Sequence, residues 1–167
     1  RHGQGSGCPD RLSQSLKDQG PAPQRVFFHH DMLAETLTMN WIAIAALNMA
    51  LAVMTGAFGA HALKARLSTE ALSWWQTAVA YQMWHALGLL ALGILLRISP
   101  ALPVPGFPAT GVQTAAVLLQ LGIVVFSGSL YAMALGAPRW FGAITPIGGL
   151  AFIAGWLWLA WNLMRSA

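Results

Sequence analysis

The stretch from Trp74 to Leu96, WWQTAVAYQMWHALGLLALGILL, is long and apolar, yet it carries Gln76, Tyr81, Gln82 and His85. At ~1.5 Å of rise per residue it is long enough to cross a hydrocarbon core of ~30 Å, so it reads as a membrane-spanning helix with polar groups at depth. An ionisable side chain there is costly unless it faces the interior of a bundle, so His85 requires company on other helices. Thr77, Tyr81, His85 and Gly88 follow one another at steps of four, four and three, which puts them on one helix face. That face is expected to turn inward, towards Asn48 on a first helix or Gln120 and Ser127 on a third.

Composition supports a chain that lives in lipid: 56% of residues are hydrophobic, 8% are charged, and the mean hydropathy is +0.57. Asp10, Asp18, Asp31 and Glu35 all precede Met39, which leaves Glu70 as the single acid after it; a soluble surface is not built this way. The formal charge of +4 and a pI near 10.0 suggest nucleic acid at first sight. The nine Lys and Arg residues, however, are scattered singly between apolar runs, as membrane-flanking anchors are, so no nucleic-acid partner is expected. Cys8 is the one cysteine, so no intrachain disulfide forms, and no Cys/His cluster offers a metal site. No constellation of catalytic residues stands out, so the chain is expected to have no catalytic site, to hold no cofactor and not to be an enzyme.

Residues 1–38 differ from the rest. They are rich in Gly, Ser, Gln, Pro and Asp and show no sustained period, so they read as a disordered or non-native tail, with Met32 or Met39 as a candidate start; residues 39–167 form the transmembrane domain. His29 and His30 are adjacent but lack a third ligand. Deletion of residues 1–38 is expected to leave membrane insertion and stability unchanged, because nothing in them can bury apolar surface against the bundle. Loss of insertion in the truncated chain would refute this.

Four spans are predicted, at about 41–60, 71–96, 112–135 and 146–164, giving an all-α, four-helix integral membrane bundle. Ala60-His61-Ala62 imitates a signal-peptide cleavage site after the first apolar run. Nothing basic lies between Arg25 and Lys64, however, so the run reads as a span. Asn48, Ala52, Thr55, Gly56 and Gly59 form a small and polar stripe suited to helix packing. Ser68 is a good N-cap for the second helix, with Glu70 in its first turn. Pro100, Pro103, Pro105 and Pro108 place the next loop outside the core.

On the third helix, Gln113, Gln120, Ser127 and Tyr131 share one face at spacings of seven, seven and four, and Gly128, Ala132 and Gly136 form a small-xxx-small line. That line is expected to be either the main internal contact or a homo-oligomer face. Thr145-Pro146 reads as N-cap and first helical position of the fourth helix, where Gly148 and Gly149 suit close packing. Trp41, Trp74, Trp75, Trp140, Trp158 and Trp161 lie near the span ends as an aromatic belt, an explanation that does not reach Trp84 and Trp156. Four spans put both termini on one side. Arg97 and Arg165 there face Lys64, Arg66 and Arg139 opposite, which leans towards termini outside the cytoplasm.

The runs GAFGAHAL (Gly56 to Leu63), WQTAVAYQMWHALGLL (Trp75 to Leu90), FSGSLY (Phe126 to Tyr131) and ITPIGGLAFIAGW (Ile144 to Trp156) resemble a family of small bacterial inner-membrane proteins. It is known as domain-of-unknown-function family 423 and has a small eukaryotic transmembrane relative. The resemblance covers Met39 to the C-terminus and implies a four-helix protein of the bacterial inner (plasma) membrane; it carries no activity over. Its motifs contain His61, Tyr81, Gln82, His85, Ser129, Tyr131, Thr145, Pro146, Gly148 and Gly149.

His61 and His85 cannot share a metal within one protomer. The first two helices are antiparallel about a turn near Lys64, and His85 lies ~25 Å of helix rise beyond the residue opposite His61. The candidate polar interior site is therefore Tyr81, Gln82, His85, Gln120, Ser127 and Tyr131, with Gly56, Gly59, Gly128, Ala132, Gly136, Gly148 and Gly149 as helix-packing candidates. The expected partners are the lipid bilayer and further copies of the chain or a larger membrane complex. The expected role is non-enzymatic assembly. The alternative is a small-molecule, quinone or lipid-binding or transport protein built on the polar interior around His85. Against transport, the chain shows no inverted repeat and no obviously broken mid-membrane helix.

Overall fold

The computed structural model describes residues 40–101 and 106–166. The expected tail, with Cys8, His29 and His30, lies outside the described residues, as do Pro103 and Pro105. Helix α1 spans Trp41–Phe58 and continues through a π-helical turn, Gly59–Leu63. Helix α2 spans Thr69–Ile98 and closes in a 3-10 turn, Ser99–Ala101. The third span is α3 (Ala109–Gly122), a π-helical turn (Ile123–Ser127) and α4 (Gly128–Ala134). A 3-10 turn, Arg139–Ala143, leads into α5, Thr145–Ser166. No strand occurs among the described residues. Four segments are long and apolar enough to cross a membrane: Trp41–Leu63, Thr69–Ala101, Ala109–Ala134 and Arg139–Ser166. The chain is an all-α membrane bundle of four spans.

Local chemistry sets the helix starts. Ser68 Oγ accepts from Ala71 N at 3.1 Å and Asn40 Oδ1 accepts from Ala43 N at 3.1 Å, each satisfying a backbone donor that the first turn leaves open. After α4 the chain reverses at Gly136, whose φ of +100° suits glycine. Thr145 opens α5, but its hydroxyl pairs with Ser129 Oγ at 2.8 Å, tying the start of the fourth span to α4.

Helix α1 packs on α2 and α3 packs on α5, while α2 also lies along α3 and α4. The second and third spans therefore share the centre, with the first and fourth flanking them. The core joins Trp41 and Ala45 of α1, Leu89 of α2, Val112 and Leu119 of α3 and Phe152 of α5, all buried. Leu47, Val53, Val124, Leu150 and Leu157 point outward, apolar against lipid. Glycines set how closely helices approach. A Cβ on Gly93 would meet Ile42 N at 2.9 Å, one on Gly122 would overlap the Phe152 ring, and one on Gly148 would overlap the backbone of Phe126. Arg139 Nη2 lies 3.7 Å from Glu70 Oε2 with both side chains exposed. Such a pair contributes little stability, but it puts the first and third loops on one side, as alternating spans require.

Two expectations change. The third span is not one continuous α-helix: the π turn at Ile123–Ser127 inserts a residue and rotates α4 relative to α3 by ~100°, so the spacing of seven, seven and four does not hold one face. Gln113 is exposed. Trp41 and Trp75 are not belt residues but core, 3% and 5% exposed, and the Trp75 indole N–H donates to Thr55 O at 2.9 Å. Trp140, Trp158 and Trp161 do face outward.

Candidate functional site

The structure divides five of the six candidate interior residues between two places. The first is a hydrogen-bond network across three spans. Asn48, on α1, donates through Nδ2 to Ile44 O and to Gln120 Oε1, both at 2.9 Å. Gln82, on α2, donates through Nε2 to Asn48 O at 3.1 Å and accepts at Oε1 from Tyr131 Oη at 2.9 Å. Tyr131 Oη also lies 3.0 Å from Thr55 Oγ1, whose hydroxyl sits against Leu51 O and Ala52 O. Gln82, Gln120 and Tyr131 are thus joined by two residues of the first span, Asn48 and Thr55. Their spacing of seven is the sequence signal that both face the same neighbour.

Every member of this network is neutral, and each side chain in it finds a partner. In lipid an unsatisfied amide or hydroxyl costs several kcal/mol, which makes closed networks the rule at this depth. The arrangement clamps spans one, two and three together. Among the described residues, no group of three His, Cys, Asp or Glu side chains lies close enough to hold a metal.

Tyr81 and His85 stand apart from the network, on the side of α2 that faces α5. The Nδ1 of His85 lies 2.8 Å from Tyr81 O, on its own helix, and no bond reaches Asn48, Gln120 or Ser127. The imidazole stacks on Phe152 with ring centroids 3.5 Å apart and planes 15° apart, and Trp156 lies 6.3 Å away. Tyr81 stacks on Phe126, of the π turn, at 4.5 Å, and lies 5.3 Å from Trp84. The two tryptophans that the belt leaves unexplained thus belong to one aromatic cluster, with Trp156 lying over Gly88. Ser127 Oγ is buried and has no partner among the described residues.

The packing candidates also divide. Gly59 lies against Trp75, Gly56 against Val79, and Gly148 against the backbone of Phe126, with Gly149 at the edge of the Phe126 ring. At Gly128 and Gly136 an added Cβ would have nothing within 4 Å, and both are exposed; Ala132 is half-buried. The expected line is not continuous: Gly128 and Ala132 lie on α4, but the helix ends at Ala134 and Gly136 belongs to the turn that follows. Close contacts are also made by Gly88 on Trp156 and by two glycines not named as packing candidates, Gly111 on Asn162 and Gly155 on Leu118 and Leu119.

A family model described as protein of unknown function (DUF423) matches residues 55–149. A UPF0382 membrane protein of Staphylococcus saprophyticus is 51% identical over 119 residues, covering 71% of this chain and 92% of its own. One of Staphylococcus epidermidis is 50% identical over 127 residues, covering 76% and 97%. The UPF0382 membrane protein YwdK of Bacillus subtilis is 44% identical over 117 residues, covering 70% and 89%. No solved structure matches.

Proposed function

The chain belongs to the DUF423 family of membrane proteins, and from that premise we propose that it is a non-enzymatic protein of the bacterial inner membrane that works by assembly, with copies of itself or within a larger membrane complex. The observation that carries this reading is the interhelical network of Asn48, Thr55, Gln82, Gln120 and Tyr131, which ties three spans together. A catalytic or transport site keeps its polar groups open to its substrate, whereas each of these side chains is engaged in a bond between spans. Beyond this network the protomer presents an apolar exterior and, on α4, exposed Gly128 one turn before half-buried Ala132, where a second backbone can approach closely.

Ala132→Leu tests the reading by native mass spectrometry and cross-linking in mild detergent. The wild-type chain is expected to run as a defined oligomer or with a co-purifying partner, and the variant as a folded monomer. A wild-type chain that is monomeric and partnerless in native membranes sinks the proposal. So does a variant that keeps every association.

A further inference from the structure

His85 sits at the midpoint of α2, Thr69–Ile98, and Trp156 at the midpoint of α5, Thr145–Ser166. Neither the hydrogen-bond network nor a belt role accounts for them, and the polar atoms beside them are unspent. Among the described residues, the fully buried side-chain polar atoms without a partner are Trp41 Nε1 and Ser127 Oγ. His85 Nε2 and Tyr81 Oη have no partner there either, but they retain contact with the surface of the bundle.

The bond at Nδ1 fixes what Nε2 offers. Tyr81 O is a carbonyl and can only accept, so the single N–H of a neutral imidazole sits on Nδ1 and Nε2 presents a lone pair. Its occupant must therefore bring an O–H or N–H. The surroundings are rings: Phe152 beneath the imidazole, Trp156 beside it, and Tyr81 stacked on Phe126 one turn away. A planar aromatic ring matches such surfaces. Depth narrows the choice further. The site lies ~15 Å from either edge of a ~30 Å core, beyond the reach of phospholipid headgroups and of water-soluble metabolites.

The geometry points to a binding site for a lipid-soluble hydroquinone. One ring hydroxyl donates to His85 Nε2, and the ring lies beside the imidazole and Trp156. This goes beyond assembly, and no electron transfer is implied: the site recognises the reduced ring because that form carries the O–H donors and the quinone does not.

The test uses the full chain in detergent micelles with three probes: decylubiquinol, its oxidised quinone and its dimethyl ether. Saturable thermal stabilisation measures binding. Decylubiquinol is expected to bind wild type at least tenfold more tightly than the other two, about the worth of one hydrogen bond. His85→Phe keeps a ring on Phe152 but removes the acceptor, and should bind all three equally. Histidine-selective 15N NMR on the wild-type chain gives a readout that does not depend on the variant folding. Decylubiquinol should shift the His85 Nε2 resonance and the dimethyl ether should not. Equal binding of the three probes to wild type, no saturable binding, or a variant that keeps the preference would each overturn the assignment. Their outcomes leave the assembly proposal untouched, since that rests on association.

Discussion

Gly148→Ala is expected to destabilise the bundle by about 2–3 kcal/mol, although alanine is the better helix former and would ordinarily add about 0.5–1 kcal/mol at such a position. The reason lies in what the new methyl group meets. A Cβ at residue 148 overlaps the N and Cα of Phe126, and backbone cannot rotate aside as a side chain can. The first turn of α5 would have to lift from the π turn, loosening Phe126 from Tyr81 and straining the Ser129–Thr145 pair. Gly128→Ala is the control: nothing lies within 4 Å of its Cβ position, so it should leave stability unchanged or slightly raised. Unfolding of the purified protein by graded SDS in detergent measures both. A Gly148→Ala protein as stable as wild type would show that the two segments do not lie this close.

That contrast shows what a one-dimensional pattern contains. Gly128, Ala132 and Gly136 satisfy the small-xxx-small rule in sequence, yet nothing packs at Gly128 and Gly136 lies in the turn beyond the helix, whereas Gly148, beside Gly149 in a stretch that offers no such period, makes the tighter contact. Spacing states which residues share a face of a regular helix. It does not state which way that face points, and it fails where the helix is not regular. The π turn at Ile123–Ser127 is the clearest case: its five residues, IVVFS, look like any apolar helical run, and what makes them wind differently is packing against α5 and α2.

The four spans were legible because length and apolarity are set by the bilayer and need no tertiary information, and the cap at Ser68 is local chemistry, whereas Gly136, read as a helix-packing position, ends the span instead. The interior was legible in part. That Gln82, Gln120 and Tyr131 must face other polar groups follows from the cost of leaving them alone in lipid; that Asn48 and Thr55 complete the set depends on helix rotation. His85 belongs elsewhere because the face shared by Thr77, Tyr81, His85 and Gly88 turns to α5, whose inward side chains are the rings of Phe152 and Trp156. A sequence reading that looks only for polar partners does not reach an aromatic one.

The separation of His85 from the network sets the second large effect, at Gln82. The Gln82 side chain bonds to two other spans, donating to Asn48 O on α1 and accepting from Tyr131 Oη on α4. Gln82→Leu keeps its approximate volume and removes both bonds. Asn48 O retains its place in the helix ladder and Tyr131 Oη keeps Thr55 at 3.0 Å, so neither is left wholly unpaired. The expected loss is therefore that of two interhelical bonds in lipid, about 1–2 kcal/mol. A double-mutant cycle with Tyr131→Phe isolates one of them, with an expected coupling of about 0.6 kcal/mol and an upper bound near ~1.7 kcal/mol. The same cycle between His85→Leu and Asn48→Ala should give a coupling near zero, because the bonds of His85 stay on its own helix and its stacking partner is on α5. SDS unfolding of the single and double variants supplies all the terms. A coupling between His85 and Asn48 as large as that between Gln82 and Tyr131 would place the imidazole in the network and contradict both the division of the interior and the open Nε2.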